Sequence, residues 1–485
     1  MIGRRRSFTW WIVSLVGVLS LRVHGQVTSE RLAAAPSEAQ NWLTYSGNYS
    51  STRYSPLNQI TPTNVKNLKL QWVYQSPVAG NWQTTPLVVD GTMYITQRLN
   101  DVVALDAATG RAFWIYRYTP AQDRVVCCGA NNRGLGILGD TLFMGTLDAQ
   151  LIAIDRKTGR VIWKTEVAST KSGYSITHAP LVVKNKVIVG VGGGEYGIRG
   201  FIAAYDAVTG REAWRFYTIP APGEPGSETW ERCPPEAKPF CDPEAWKHGG
   251  GSIWMTGAYD PRLNLTYWGT GNVGPDYNGV QRPGDNLYTA SIVALDADTG
   301  TLKWHYQFTP HDVYDYDSVQ VPVLVDNWAG SRVNVVTWAN RNGNFYALDR
   351  ETGRFLLGKP FVKVNWMSGF DERGRRILIR EIIHQLFNPH GVGWRQAPIH
   401  DEAAHVRVTR GIDIDGKRRK PIVDHGKELA VLLKRVRLSR ERFFCARRVP
   451  SSFFRLAQLA PLTGEASRLA PTASCIAGYG KFGEL

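Results

Sequence analysis

The chain has 485 residues, 43% of them hydrophobic, with 17 Trp and 48 Gly, which is enough for one large all-β domain or two to three ordinary ones. Its formal charge of +15 invites a nucleic-acid partner, yet about 22 of the 57 Lys and Arg follow Asp371, against about 11 acids, which leaves only about +4 for everything before. No nucleic-acid-binding motif accompanies that basic tail, so nucleic-acid recognition is excluded as the chain's task.

Residues 1–25 read as an export signal. Arg4, Arg5 and Arg6 form a basic start, Phe8 to Leu21 is too short for a comfortable membrane span, and Val23-His24-Gly25 supplies a cleavage-type end. Arg5-Arg6-Ser7-Phe8 hints at twin-arginine export, and a retained membrane anchor is the alternative. No later stretch reads as transmembrane. Export places the mature chain in an oxidising compartment, the periplasm, where cysteines pair. Cys233 and Cys241 bracket a Pro-rich loop that a disulfide would close, and the adjacent Cys127 and Cys128 are expected to form a vicinal one.

Residues 26–378 carry an internal repeat. It reads Leu105-Asp-Ala-Ala-Thr-Gly-Arg-Ala-Phe-Trp114, then Ile154-Asp-Arg-Lys-Thr-Gly-Arg-Val-Ile-Trp163, Tyr205-Asp-Ala-Val-Thr-Gly-Arg-Glu-Ala-Trp214 and Leu295-Asp-Ala-Asp-Thr-Gly-Thr-Leu-Lys-Trp304. A fifth copy, Leu348-Asp-Arg-Glu-Thr-Gly-Arg-Phe-Leu-Leu357, ends in Leu, and Trp72 reads as the end of an earlier unit. Each copy predicts a strand, a turn and a second strand, the Asp holding turn N–H groups and Gly supplying φ > 0. Segments such as Pro86-Leu-Val-Val-Asp-Gly-Thr-Met-Tyr-Ile95 and Pro180-Leu-Val-Val-Lys-Asn-Lys-Val-Ile-Val189 add two strands joined by a tight turn. Four strands per unit define propeller blades, with the tryptophans as staples between them. About six units are counted in this way.

Within Thr309-Pro-His-Asp-Val-Tyr-Asp-Tyr-Asp-Ser318, Asp315 and Asp317 sit two apart. On an extended strand that spacing puts both carboxylates on one face, about 7 Å apart, where they repel unless a cation lies between them. After about Ile379 the repeat fails, Trp394 is the last Trp, and basic runs such as Lys417-Arg-Arg-Lys420 appear. Residues 379–485 are therefore read as an atypical basic tail, frameshifted or damaged, with disorder as the alternative.

These motifs together resemble the quinoprotein alcohol dehydrogenases, the family of methanol and ethanol dehydrogenases that use pyrroloquinoline quinone (PQQ). The resemblance covers about residues 40–378, including Trp42-Leu-Thr-Tyr-Ser-Gly. It implies an eight-bladed β-propeller, here incomplete at about six blades, with quinone and metal near its axis. Glu195 in Gly192-Gly-Gly-Glu-Tyr-Gly and Asn272 in Trp268-Gly-Thr-Gly-Asn272 match metal ligands, hard oxygen donors suited to Ca²⁺ or a lanthanide. Asp315 matches the catalytic base, and Asp317 the extra carboxylate of lanthanide-type members, so the implied metal set is Glu195, Asn272, Asp315 and Asp317 around a lanthanide ion, with Ca²⁺ the alternative. Trp254 matches the indole on one face of the quinone, and Cys127–Cys128 the disulfide on the other. Arg133, Thr177 and Arg341 match groups that bind its carboxylates and carbonyls, and Gly193 and Gly194 match backbone that approaches the ring.

Gln83 stands where the family usually has Glu, and Asp276 where methanol enzymes commonly place Trp, which favours larger alcohols. The family's C-terminal cofactor contacts have no convincing counterpart. The resemblance implies oxidation of a primary alcohol in the periplasm. No Cys-x-x-Cys-His occurs, so electrons would pass to a separate cytochrome c, from a chain that is a possible homodimer. A non-enzymatic propeller scaffold and an inactive truncated family member are the competing expectations.

Overall fold

The computed structural model describes residues 25–233 and 240–379, all within the unit Met1–His400. The expected export signal, apart from Gly25, and the basic tail from residue 380 lie outside the described residues.

Five four-stranded antiparallel meanders follow one another. The first comprises β1 (Leu87–Val89), β2 (Thr92–Thr96), β3 (Val102–Asp106) and β4 (Ala112–Tyr116). The second comprises β5 (Gly136–Leu138), β6 (Thr141–Gly145), β7 (Gln150–Asp155) and β8 (Val161–Glu166). The third holds β9 (Leu181–Val183), β10 (Lys186–Gly190), β11 (Phe201–Asp206) and β12 (Glu212–Tyr217). The fourth holds β13 (Ala258–Asp260), β14 (Leu265–Gly269), β15 (Ser291–Asp296) and β16 (Leu302–Gln307). The fifth holds β17 (Val323–Val325), β18 (Val335–Ala339), β19 (Asn344–Asp349) and β20 (Phe355–Pro360). A two-stranded ribbon, β21 (Met367–Phe370) and β22 (Arg376–Leu378), comes last.

The third strand of each sheet shows why the blades stack. Val102–Leu105, Leu151–Ile154, Phe201–Tyr205 and Ile292–Leu295 are buried throughout. A strand covered on both faces reads as a continuous apolar run, whereas the outer β4 and β8 alternate. Each third-to-fourth pairing also slips register at one place, just before the turn Asp, at Ala104/Leu105, Ala153/Ile154, Ala204/Tyr205, Ala294/Leu295 and Ala347/Leu348. A bulge there adds local twist.

The repeat's turn and Trp act across sheets. In the second sheet Asp155 Oδ1 accepts from Lys157 N at 3.1 Å and from Thr158 N and Oγ1 at 2.8 Å. Gly210, φ +69°, closes the equivalent turn of the third sheet, and a Cβ added to it would meet the Trp163 ring at 2.7 Å. Trp163 Nε1 then donates to Ala207 O at 3.2 Å. Trp114 seats over Gly159 and Trp214 over Gly300 in the same manner. Trp72 likewise seats over Gly110 and donates to Ala107 O at 3.2 Å, yet its segment forms no strand, because no neighbouring strand offers it hydrogen bonds among the described residues. The count of about six four-strand units is thus corrected, among the described residues, to five complete sheets, one ribbon and one isolated staple.

An N-terminal segment runs across the first strands. Trp42 bridges to Val88 in β1, Tyr49 Oη donates to Val182 O in β9 at 2.9 Å, Tyr259 N in β13 donates to Tyr49 O, and Leu324 N in β17 donates to Ser50 O. First strands therefore share the side of the sheets along which this segment runs, and the antiparallel order puts all strand 2-to-3 and strand 4-to-1 connections at one end of the sheets.

Candidate active site

Every residue singled out for chemistry sits at that end. Gln83, Cys127, Cys128, Arg133, Thr177, Trp254, Asp315 and Asp317 lie on segments leading into first strands. Gly193, Gly194, Glu195, Asn272 and Arg341 lie on strand 2-to-3 connections.

One group of these residues suits a flat, acidic ligand. Arg133, 8% exposed, donates from Nη1 to Thr177 Oγ1 at 2.9 Å, and its guanidinium lies 5.0 Å from the Trp254 ring centroid. Cys127 and Cys128 are disulfide-bonded, with Cα atoms 3.8 Å apart and Cys128 at φ +62°. Cys233–Cys241 closes its loop with a Cα separation of 5.6 Å. Gln83 Oε1 is buried without a hydrogen-bond partner, an acceptor waiting for a donor. Gly193, φ +118°, admits no side chain, since an added Cβ would meet Gly173 O at 2.0 Å. At Gly194 it would come within 3.7 Å of Asn272 Oδ1.

A second group carries the charges. Arg341 forks between two acids, with Nη1 at 2.7 Å from Asp317 Oδ2 and Nη2 at 3.3 Å from Asp315 Oδ2. Asp317 Oδ1 also accepts from Asn272 N at 3.1 Å. Asn272 Nδ2 donates to Asp276 Oδ1 at 2.6 Å, which turns its amide oxygen toward the Gly194 side. Burial, then the Asp317 charge, pushes Asp315 up to about 7 against the pull of Arg341. Burial likewise raises Asp317, and burial with the Asp317 and Asp276 charges raises Glu195.

The expected extended strand through Asp315 and Asp317 is not formed. The segment is irregular and Asp315 takes φ +61°, because Asp312, fully buried, accepts from Tyr314 N at 3.0 Å and from Tyr316 N at 2.7 Å and curls the chain around its carboxylate. The two acids still meet on one cation, the guanidinium of Arg341. Glu195 feels the Asp317 and Asp276 charges, yet among the described residues no three His, Cys, Asp or Glu side chains converge into a metal-binding cluster. Asp312 and Arg282 escaped sequence reasoning. Asp312 had a signal, being the third acid of the Thr309–Ser318 run, whereas Arg282 in Gln281-Arg-Pro-Gly284 had none.

Stacked four-stranded meanders with a charged, loop-built site at one end define an all-β protein of propeller type. Residues 42–365 match the family described as PQQ: Glucose/ethanol/alcohol dehydrogenase, beta-propeller domain, and the chain belongs to that family. It is 42% identical over 390 residues to the quinohemoprotein alcohol dehydrogenase ADH-IIG of Pseudomonas putida, covering 76% of this chain and 53% of that protein. It is 39% identical over 387 residues to the lanthanide-dependent methanol dehydrogenase of Methylacidiphilum fumariolicum, covering 75% of this chain and 61% of that one. A solved europium-containing methanol dehydrogenase superposes with a TM-score of 0.67 at 38% identity, over 73% of this chain and 64% of the other. The chain thus spans roughly half to two thirds of the length of these relatives.

Proposed function

We propose that this chain is an exported alcohol dehydrogenase subunit that uses PQQ and a hard cation to oxidise a primary alcohol to an aldehyde. The observation that carries the reading is the convergence, at one end of the sheets, of the Arg133–Thr177–Trp254 group with the Arg341–Asp315–Asp317–Asn272 group. The residues fit both groups. The orphaned Gln83 Oε1 and the buried Arg133 suit a planar polyacid, and the oxygens of Glu195, Asn272, Asp315 and Asp317 suit a hard cation. Bound together, quinone and cation supply a hydride acceptor and a Lewis acid.

The protein's own share is orientation and proton transfer. Trp254 and the Cys127–Cys128 disulfide offer apolar surfaces to a flat ring, and Arg133 and Thr177 offer donors to its carboxylates. Asp315 takes the hydroxyl proton of the alcohol as hydride leaves the carbinol carbon. With no cation bound, burial holds the Asp315 carboxyl up to about 7, and a cation at the site would favour the ionised form that accepts a proton. Asp317 contributes the additional anionic oxygen that favours a trivalent lanthanide over Ca²⁺. Electrons pass on to a separate cytochrome c in the periplasm. The paired Cys127–Cys128 and Cys233–Cys241 support an oxidising compartment. The parent architecture is an eight-bladed ring, of which these residues supply five blades.

Reconstitution with PQQ and either La³⁺ or Ca²⁺, followed by dye-linked alcohol oxidation, tests the reading. Turnover with La³⁺ supports it, full activity with Ca²⁺ alone sinks the lanthanide assignment, and no turnover with either sinks the enzyme. A second reading, a family chain that folds but does not turn over, is favoured by Leu68, Leu70 and Val73. They stand 62%, 81% and 65% exposed on the Trp72 segment, where a further blade would pack.

A further inference from the structure

Arg282 is one of the largest fully buried side chains, 1% exposed. Desolvating a guanidinium is costly unless its N–H groups are satisfied. Its hydrogen bonds run to oxygens of neutral groups. Nε donates to Pro275 O at 3.1 Å, Nη2 to Asp276 O at 3.1 Å and to Asp312 O at 2.6 Å, and Nη1 to Asn286 Oδ1 at 3.1 Å. Asn286 in turn donates from Nδ2 to Arg282 O at 3.1 Å and so holds the arginine's own backbone.

These acceptors belong to two separate loops of the site. Pro275 lies three residues after Asn272, and Asp312 three residues before Asp315. One planar, rigid side chain therefore ties the Asn272 loop to the Asp315–Asp317 loop. Asp312 completes the brace from within the second loop. Its carboxylate holds Tyr314 N and Tyr316 N, the amides on either side of Asp315. A non-glycine residue at φ +61° is strained and persists only where its surroundings over-determine it. The rings of Tyr314 and Tyr316 also pack on Trp366, with centroids 5.9 and 5.8 Å away, which shields the brace from solvent.

We propose that Arg282 is a positioning residue: by clamping the Pro275–Asp276 and Asp312 carbonyls it sets the spacing between Asn272 and the Asp315–Asp317 pair. That spacing governs how tightly a hard cation is held and where the Asp315 carboxylate points. The inference rests on the function proposed above, and deepens it. A lysine at 282 keeps the charge but, as a point donor, cannot bridge both loops in one plane.

The test uses the full chain as Arg282→Lys, with Arg350→Lys as a comparison. Arg350 is equally buried and pairs with Asp260 at 2.9 Å, but follows the turn Asp349 at the opposite end of its sheet. Three readouts are taken: amide hydrogen exchange at Tyr314 and Tyr316 without any cation, Tb³⁺ affinity from tyrosine-sensitised luminescence, and kcat and KM after loading with PQQ and La³⁺. Arg282→Lys is expected to accelerate exchange at both amides, to weaken Tb³⁺ binding about 10- to 100-fold, and to lower kcat while leaving KM for the alcohol unchanged. Arg350→Lys should lower Tm only. An Arg282→Lys protein that loses Tm like Arg350→Lys, but keeps wild-type exchange and Tb³⁺ affinity, overturns the proposal. Should Arg282→Lys not fold, Asp312→Asn probes the same brace from inside the loop with the same readouts. A wild-type chain that takes up no Tb³⁺ refutes the cation reading, while the exchange measurement still decides the role of Arg282.

Discussion

At one end of the sheets, Asp106, Asp155, Asp206, Asp296 and Asp349 each close a five-residue turn; at the other, Asp312, Asp315 and Asp317 crowd into one irregular loop. The same side chain meets opposite fates. The turn acids lie near solvent and accept local N–H groups, and the Ala108 N–H holds Asp106, and the Thr209 N–H holds Asp206, below the usual carboxylate range. Asp312 and Asp315 are pushed up, to about 6 and about 7, because burial removes water faster than neighbouring donors replace it. One end invests its carboxylates in folding, and the other holds them ready to lose or gain a proton or to bind a cation.

The largest effect that tests this contrast is on turnover. Asp315→Asn removes the proton acceptor and should lower kcat about 10²- to 10⁴-fold, with Tm nearly unchanged. The deprotonated form is the active one and a bound cation favours it, so kcat/KM of the loaded wild-type enzyme should fall only as pH drops below the cation-free value of about 7, and this acid limb should vanish in the variant. The signs for stability also oppose. The folded pKa of Asp315 exceeds its unfolded value, so the folded chain binds the proton more tightly. Its contribution is lost as pH rises from about 4 to about 7, and a bound cation should restore it. Asp106 and Asp206, with lowered folded values, contribute above the ordinary carboxylate pKa and lose that contribution as pH falls through their folded values. Urea titrations from pH 4 to 8, with and without La³⁺, separate the two ends.

Next comes the staple. Trp163→Ala strips the ring from Gly210 and Phe143 and should cost about 3 kcal/mol in urea unfolding, without altering the pH limb of activity. Replacing Cys233 and Cys241 together by Ser should cost about 2–3 kcal/mol on the chain-entropy account, read as a fall in Tm of the variant relative to the oxidised wild-type protein. Smallest is Asp155→Ala, which frees two turn N–H groups that water can reach. About 1 kcal/mol is expected, with kcat unchanged; a large loss of activity would mean that the two ends are coupled.

Much of the fold was legible because its determinants are local and periodic. The Asp-x-x-Thr-Gly turn, the following Trp and the paired β-strand runs each need only ten or so neighbouring residues, and the structure reproduces them sheet after sheet. The Trp72 unit was legible only as a staple, since a strand exists by virtue of a partner and sequence does not show whether one is there. At the site, the residues singled out all arrive at one end, because connection type alone fixes the end on which a residue emerges. Their mutual contacts were not legible. The period-2 argument for Asp315 and Asp317 assumed extended backbone, and the buried carboxylate of Asp312 bends it instead.

Short-range hydrogen bonding and alternating burial are written along the chain, and they suffice for the all-β blades, their turns, their staples and the family to which they belong. That Arg341 lies between the two acids, that Asp276 orients the Asn272 amide, and that Arg282 joins their loops emerges from the packing of distant segments. These contacts link irregular segments far apart in the chain. Their partners are selected by burial and unmet hydrogen-bonding capacity at the sheet ends, which no periodicity records.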